Sequence, residues 1–296
     1  MIPPIASQFV AGETQAEALA YVRRVNDHEI NAIVNRLGTH HEEWDRIAEV
    51  KAEYEELVAA IGGTNLDACV SVKPSQIGLD LGEPVFRDHL ASLVETASRH
   101  DVFIWLDMEE HETTDATIEA FETLAPEYEE RLGICLQANL YRTIGDLDRL
   151  ETVPGAVRLV KGGSYDEPET VACMDRERMN RRYREILRYA FEHYEGDIAV
   201  ATHDIDAISF ARSVGDSVGR EFEIQMLMGV RTDAIVELSE EYDVAQYVPY
   251  GRNWKKWTFN RLTENPRTFW FVIQAVLGNS ISRLGRTSDD PVLRKP

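Results

Sequence analysis

Short apolar runs punctuate this chain at even intervals, and amphipathic segments fill the gaps. Eight runs have the length and composition of strands: residues 30–37, 67–73, 102–108, 133–138, 156–161, 197–202, 221–226 and 244–250. Between them, residues 42–61, 88–100, 114–130, 177–193, 204–214 and 232–241 carry apolar positions at helical spacing. The fourth connection is shorter and centres on residues 144–150. A helix over 13–26 precedes the first strand, and a last helical region over 254–277 is interrupted by Pro266.

Strands and helices alternating in this way predict an α/β fold, a parallel (βα)8 TIM-type barrel with one helix ahead of the first strand. A doubly wound sheet is the alternative, but no GxGxxG follows any strand. No linker or repeat divides the sequence. The expectation is one domain over residues 1–296, with the barrel at about 30–279 and a tail over 285–296.

Charge narrows the functions open to such a barrel. The 296 residues include 52 acids against 31 bases, a net charge of −21, and only six lysines. An acidic, lysine-poor surface suits a protein hydrated in concentrated salt, so a halophilic cytoplasm is expected. Repulsion from phosphate argues against nucleic acid as a partner. Apolar runs fall well short of the ~20 residues of a membrane span, and the start lacks the basic region of a signal peptide. Cys69, Cys135 and Cys173 have no metal-ligand spacing and read as buried thiols of a reducing compartment.

Barrel chemistry sits at the C-terminal ends of the strands, and here those ends are polar. The second carries Lys73, the third Asp107-Met108-Glu109-Glu110, and the fourth Gln137. The fifth carries Arg158 and Lys161-Gly162-Gly163, the sixth Thr202-His203, the seventh Gln225, and the eighth Tyr247. Each has a plain alternative: Lys73 and Asp107 as a structural ion pair, His203 as a cap, the two glycines as a turn. The run Asp107–His111 is acidic enough to suggest a metal, but adjacent side chains diverge, so no metal is expected. Residues 244–263 contain no acid, yet hold Arg252, Lys255, Lys256 and Arg261 among aromatic residues.

Taken together, Val72-Lys73, Leu106-Asp107-Met108-Glu109-Glu110, Leu136-Gln137-Ala138, the segment from Arg158 to Gly162, Ala201-Thr202-His203, the segment from Glu223 to Leu227, and the segment from Tyr247 to Gly251 resemble the proline dehydrogenase family. The likeness runs from about residue 9 to about 279. It implies a distorted barrel whose C-terminal helix closes the pocket, non-covalent FAD at the C-terminal face, oxidation of L-proline to 1-pyrroline-5-carboxylate, and electrons passed to a quinone-type acceptor. It further implies a cytoplasmic protein, with peripheral contact at the inner face of a membrane.

By motif, Asp107 and Arg158 match catalytic positions. Met108, Gln137, Lys161, Gly162, Gly163, Thr202 and His203 match flavin contacts, with Gln225 beside them. Lys73, Tyr247, Trp257, Asn260, Arg261 and Glu264 fall on the substrate side. Trp257 and Arg261, four apart, share one face of a helix.

The chain departs from the family twice. Asn260-Arg261 stands where the family has paired arginines, which leaves one cation to clamp a carboxylate. Gly163-Ser164-Tyr165 follows Lys161-Gly162 as though one residue were inserted. The first departure leaves room for another cyclic imino acid, or for a flavin-binding relative without turnover. A Schiff-base lyase using Lys73 or Lys161 is the rival from a different class, although a carboxylate beside either lysine would keep it protonated.

Overall fold

The structure, a computed structural model, describes residues 2, 6–128, 131–162, 165–255 and 258. Its strands are β1 (Asn31–Arg36), β2 (Ala68–Val72), β3 (Ile104–Leu106), β4 (Leu132–Gln137), β5 (Ala156–Val160), β6 (Asp197–Ala201), β7 (Glu223–Leu227) and β8 (Val244–Tyr250). They pair in sequence order, all parallel, and β1 closes on β8 to complete the barrel.

Helix α1 (Gln15–Asn26) precedes β1. Then α2 (Trp44–Gly62), α3 (Glu83–Arg99), α4 (Thr114–Tyr128), α5 (Thr143–Leu150), α6 (Arg176–His193), α7 (Ile205–Val218) and α8 (Thr232–Ser239) each follow one strand. The expected (βα)8 architecture is therefore present. The expected closing helix, with Trp257, Asn260, Arg261 and Glu264, lies outside the described residues, as does Gly163.

Alternation along the strands sorts side chains into two interiors. Val34, Val70, Leu106, Leu136, Leu159 and Val200 face outward and pack with the buried faces of the helices in the main core. Ile33, Trp105, Ala156, Ala199 and Ala245 point into the barrel with Cys69, Phe103 and Tyr247. The inner set is small except for Ile33 and its aromatic members. Gly133 makes room for one of them, because a Cβ there would come within 2.6 and 2.8 Å of the Trp105 ring.

Two element boundaries differ from the sequence pattern. Helix α3 starts at Glu83, five residues before the apolar spacing begins, because Pro84 occupies its first turn. Proline is preorganised there and loses no hydrogen bond the helix could have made. The fourth connection folds as a full helix, α5, because Asp146, Leu147 and Leu150 bury one side of it and Arg142 holds the Asp146 carboxylate. Among the described residues no helix is long and apolar enough to cross a membrane.

Candidate active site at the C-terminal end of the barrel

Asp107, one residue past β3, is buried, and four side chains converge on it. Ser71 Oγ donates to its Oδ1 at 2.6 Å, and Arg158 Nη2 donates to the same oxygen. Tyr247 OH donates to Oδ2 at 2.9 Å, and Lys73 Nζ lies 3.6 Å from that oxygen. Burial pushes against ionisation of Asp107, but Arg158 and Lys73 outweigh it and hold the carboxyl below its ordinary range. Lys73 also loses solvation, yet Asp107 keeps its ammonium charged well above the usual lysine value. Burial, reinforced by the Asp107 charge, pushes the Tyr247 phenol far up, so it remains a proton donor.

Arg158 is held from several directions. Besides Asp107, its Nη2 reaches Ser71 Oγ at 3.3 Å and its Nη1 reaches Gln225 Oε1 at 3.4 Å. The guanidinium lies over the Trp105 ring at 5.0 Å and the Tyr247 ring at 5.8 Å. Such stacking suits a planar cation that must be desolvated without losing its charge.

The remaining predicted residues sit around this cluster. Gln137 is buried, and its Nε2 donates to the Met108 and Glu109 carbonyls at 3.0 Å each. Its Oε1 is buried with no hydrogen-bond partner among the described residues, an acceptor suited to an N–H from a ligand. Lys161 pairs with Asp204, whose side chain also caps α7 through the Asp206 N–H. The cation expected to contact the flavin thus has a carboxylate partner in this structure. Thr202 Oγ1 accepts from the Asp204 N–H at 3.2 Å. His203 Nε2 accepts from the Leu227 N–H at 3.2 Å, so its neutral ring carries the proton on Nδ1. A Cβ built on Gly162 meets nothing within 4 Å, which leaves space beside the fifth strand end.

The acidic run after β3 turns to several different partners, and His111, Glu112 and Glu167 form a group among the described residues whose ligand atoms lie within 4.8 Å of one another. Asp107 turns to Arg158, and Glu109 accepts from the Ser75 N–H and hydroxyl at 2.8 and 2.9 Å. Glu110 Oε1 lies 3.2 Å from His40 Nε2, and His111 Nδ1 lies against Glu167. Burial raises the Glu109 carboxyl despite Lys73 nearby. Tyr165, beyond the apparent insertion, still reaches Glu109 Oε1 with its hydroxyl at 3.4 Å. The three cysteines are free thiols, and burial raises both Cys69 and Cys135.

Ser71 and Trp105 belong to the site without standing out in the sequence. Both were detectable in principle: each lies two positions before a chosen strand-end residue, Lys73 or Asp107, and so shares its inward face.

The family profile described as Proline dehydrogenase matches residues 18–272. A proline dehydrogenase of Deinococcus radiodurans is 34% identical over 283 residues, covering 92% of this chain and 90% of that protein. Proline dehydrogenase 1 of Bacillus subtilis subsp. natto is 32% identical over 277 residues, with the same coverage. Among solved structures, proline utilization A of Bdellovibrio bacteriovorus, inactivated by N-propargylglycine, superposes with a TM-score of 0.80 at 23% identity. That match covers 88% of this chain and 32% of the larger protein, and is a likeness of fold. The chain belongs to the proline dehydrogenase family.

Proposed function

We propose that this chain oxidises L-proline to 1-pyrroline-5-carboxylate, the first step of proline catabolism, using non-covalently held FAD and passing electrons to a quinone-type acceptor. The observation that carries this reading is the buried cluster of Lys73, Asp107, Arg158 and Tyr247 at the strand ends of a family member. When bound, FAD supplies the two-electron acceptor, and the protein supplies orientation and charge.

Arg158 is the cation for the cofactor, held ready by Asp107 and by the faces of Trp105 and Tyr247. A fixed, desolvated cation stabilises developing negative charge without reorganising. Gln137 offers its Oε1, unpartnered among the described residues, to a ring N–H, and Gly162 leaves room for close backbone approach. Met108, Lys161, Thr202, His203 and Gln225 complete the cofactor side of the proposal.

Lys73 and Tyr247 serve the substrate side in this proposal, and the family resemblance adds Trp257, Asn260, Arg261 and Glu264, which lie outside the described residues. Lys73 stays charged and so attracts the substrate carboxylate rather than removing a proton. The amine therefore enters already neutral, and the residues orient it. The same charged state counts against a Schiff-base lyase at Lys73. A cytoplasmic setting, with peripheral approach to a membrane holding the acceptor, goes with this reading.

The test is a visible spectrum of the purified protein before and after anaerobic L-proline. A flavin spectrum that bleaches is expected. Absence of flavin from reconstituted protein would overturn the proposal, and bleaching only by another cyclic imino acid would replace the substrate. Asn260→Arg should tighten proline binding about tenfold by adding a charged donor.

A further inference from the structure

Arg158 has a second support that comes from below the site. Gln225 and Glu223 are two apart on β7, so both project into the barrel in successive layers. Gln225 Nε2 donates to Glu223 Oε1 at 2.5 Å, and Gln225 Oε1 accepts from Arg158 Nη1 at 3.4 Å. The register places Ala199 of β6 between Arg158 and Glu223, and its methyl offers no polar alternative.

We propose that Glu223 is a positioning residue for Arg158, acting through the side-chain amide of Gln225. A glutamine amide has two nearly isosteric orientations, one presenting oxygen and the other NH2. Facing a guanidinium, only the oxygen is attractive; NH2 sets donors against donors. A carboxylate on the far side accepts from NH2 and repels the carbonyl, so Glu223 selects the orientation that Arg158 needs.

The surroundings of Glu223 leave it that task. Its outer side faces a cavity of about 480 Å³ at the N-terminal end of the barrel, lined by no lysine or arginine among the described residues. Asp67, Asp197, Glu221 and Asp243 line the same cavity, so the nearby charges on that side repel it. Its remaining side-chain partner is the neutral Asn31. Burial raises the Glu223 carboxyl, while Arg158 acts in the opposite sense, through space, to favour its charge. A charge placed with so little compensation on its own side is explained by what it does for Gln225 and Arg158.

This inference rests on the role given to Arg158 above, but one arm of its test needs no cofactor. Trp105 lies under the guanidinium, so its emission in cofactor-free protein reports where Arg158 sits. The Trp105→Phe background subtracts the other tryptophans. Glu223→Gln should change the Trp105 emission, and the exchanged pair Glu223→Gln with Gln225→Glu should restore it. In the exchanged pair the new amide at position 223 donates to the new carboxylate at position 225, which accepts from Arg158 in either orientation. In flavin-loaded protein, Glu223→Gln should lower kcat about tenfold, one hydrogen bond's worth, with KM nearly unchanged. It should also move the flavin midpoint potential to a more negative value. Unchanged Trp105 emission in a folded Glu223→Gln protein overturns the inference, as does failure of the exchanged pair to restore it. A protein that bound no flavin would defeat the proposed function and leave the fluorescence arm standing.

Discussion

Asp107 receives Ser71, Arg158, Tyr247 and Lys73 at once, and this sets how the protein responds to acid. Its carboxyl is depressed in the fold. The linked stability is therefore fully present above the unfolded carboxyl value of about 3.9 and is lost as pH falls through the folded value. Asp107→Asn removes that contribution and leaves Arg158 buried without its anion, so it should cost about 3–5 kcal/mol at pH 7. The gap between the two proteins should narrow below about pH 4. Urea unfolding of both cofactor-free proteins across this range checks it, and a gap independent of pH would defeat the linkage. Lys73 and Asp107 were legible because each is polar near the end of an apolar run, and Arg158 and Tyr247 because each puts a polar group inside one. Glu223 was overlooked because a carboxylate at the start of a strand looks like an ordinary solvated end, although its place two positions before Gln225 puts it on the same inward face.

Strands and helices were legible as elements because each has a buried face at its own period, two or 3.6. Their limits were less so. Strand β3 shrinks to Ile104–Leu106 although apolar residues flank it. Phe103 instead lies inside the barrel tilted against Trp105, with ring centroids 5.1 Å apart. What the periodicity could not convey is how the barrel interior is filled. Gly133 on β4 reads as a weak strand residue, yet its missing side chain is where the Trp105 ring lies. Gly133→Ala would drive a methyl into that ring and, through it, into the Arg158 stack. Overpacking should cost about 1–3 kcal/mol, and Trp105 emission should change together with the lost stability. A thermal unfolding curve and Trp105 emission both matching wild type would show that the interior is looser than this packing implies.

Across the whole molecule the opposing effects of salt have different sizes. Surface pairs such as Arg149–Glu122 and Arg212–Glu241 weaken when screened, but each contributes only about 0–1 kcal/mol. Buried Asp107–Arg158 lies beyond the reach of mobile ions. Against these stands an excess of 21 negative charges with no partner of opposite sign. Their mutual repulsion acts on the compact state and relaxes on unfolding. The screening length falls from about 10 Å at 0.1 M to about 3 Å at 1 M, which removes most repulsion between charges that are not adjacent. Relief should therefore exceed the loss of surface pairs, and the melting temperature should rise by several degrees, on the order of 1–3 kcal/mol at this size, between 0.1 and 2 M KCl. Chloride is the informative anion, because sulfate strengthens apolar burial in any protein. A melting temperature that stays flat or falls in KCl would mean the excess charge is spread widely enough to cost the fold little. The acidic composition would then need a cause other than adaptation to salt.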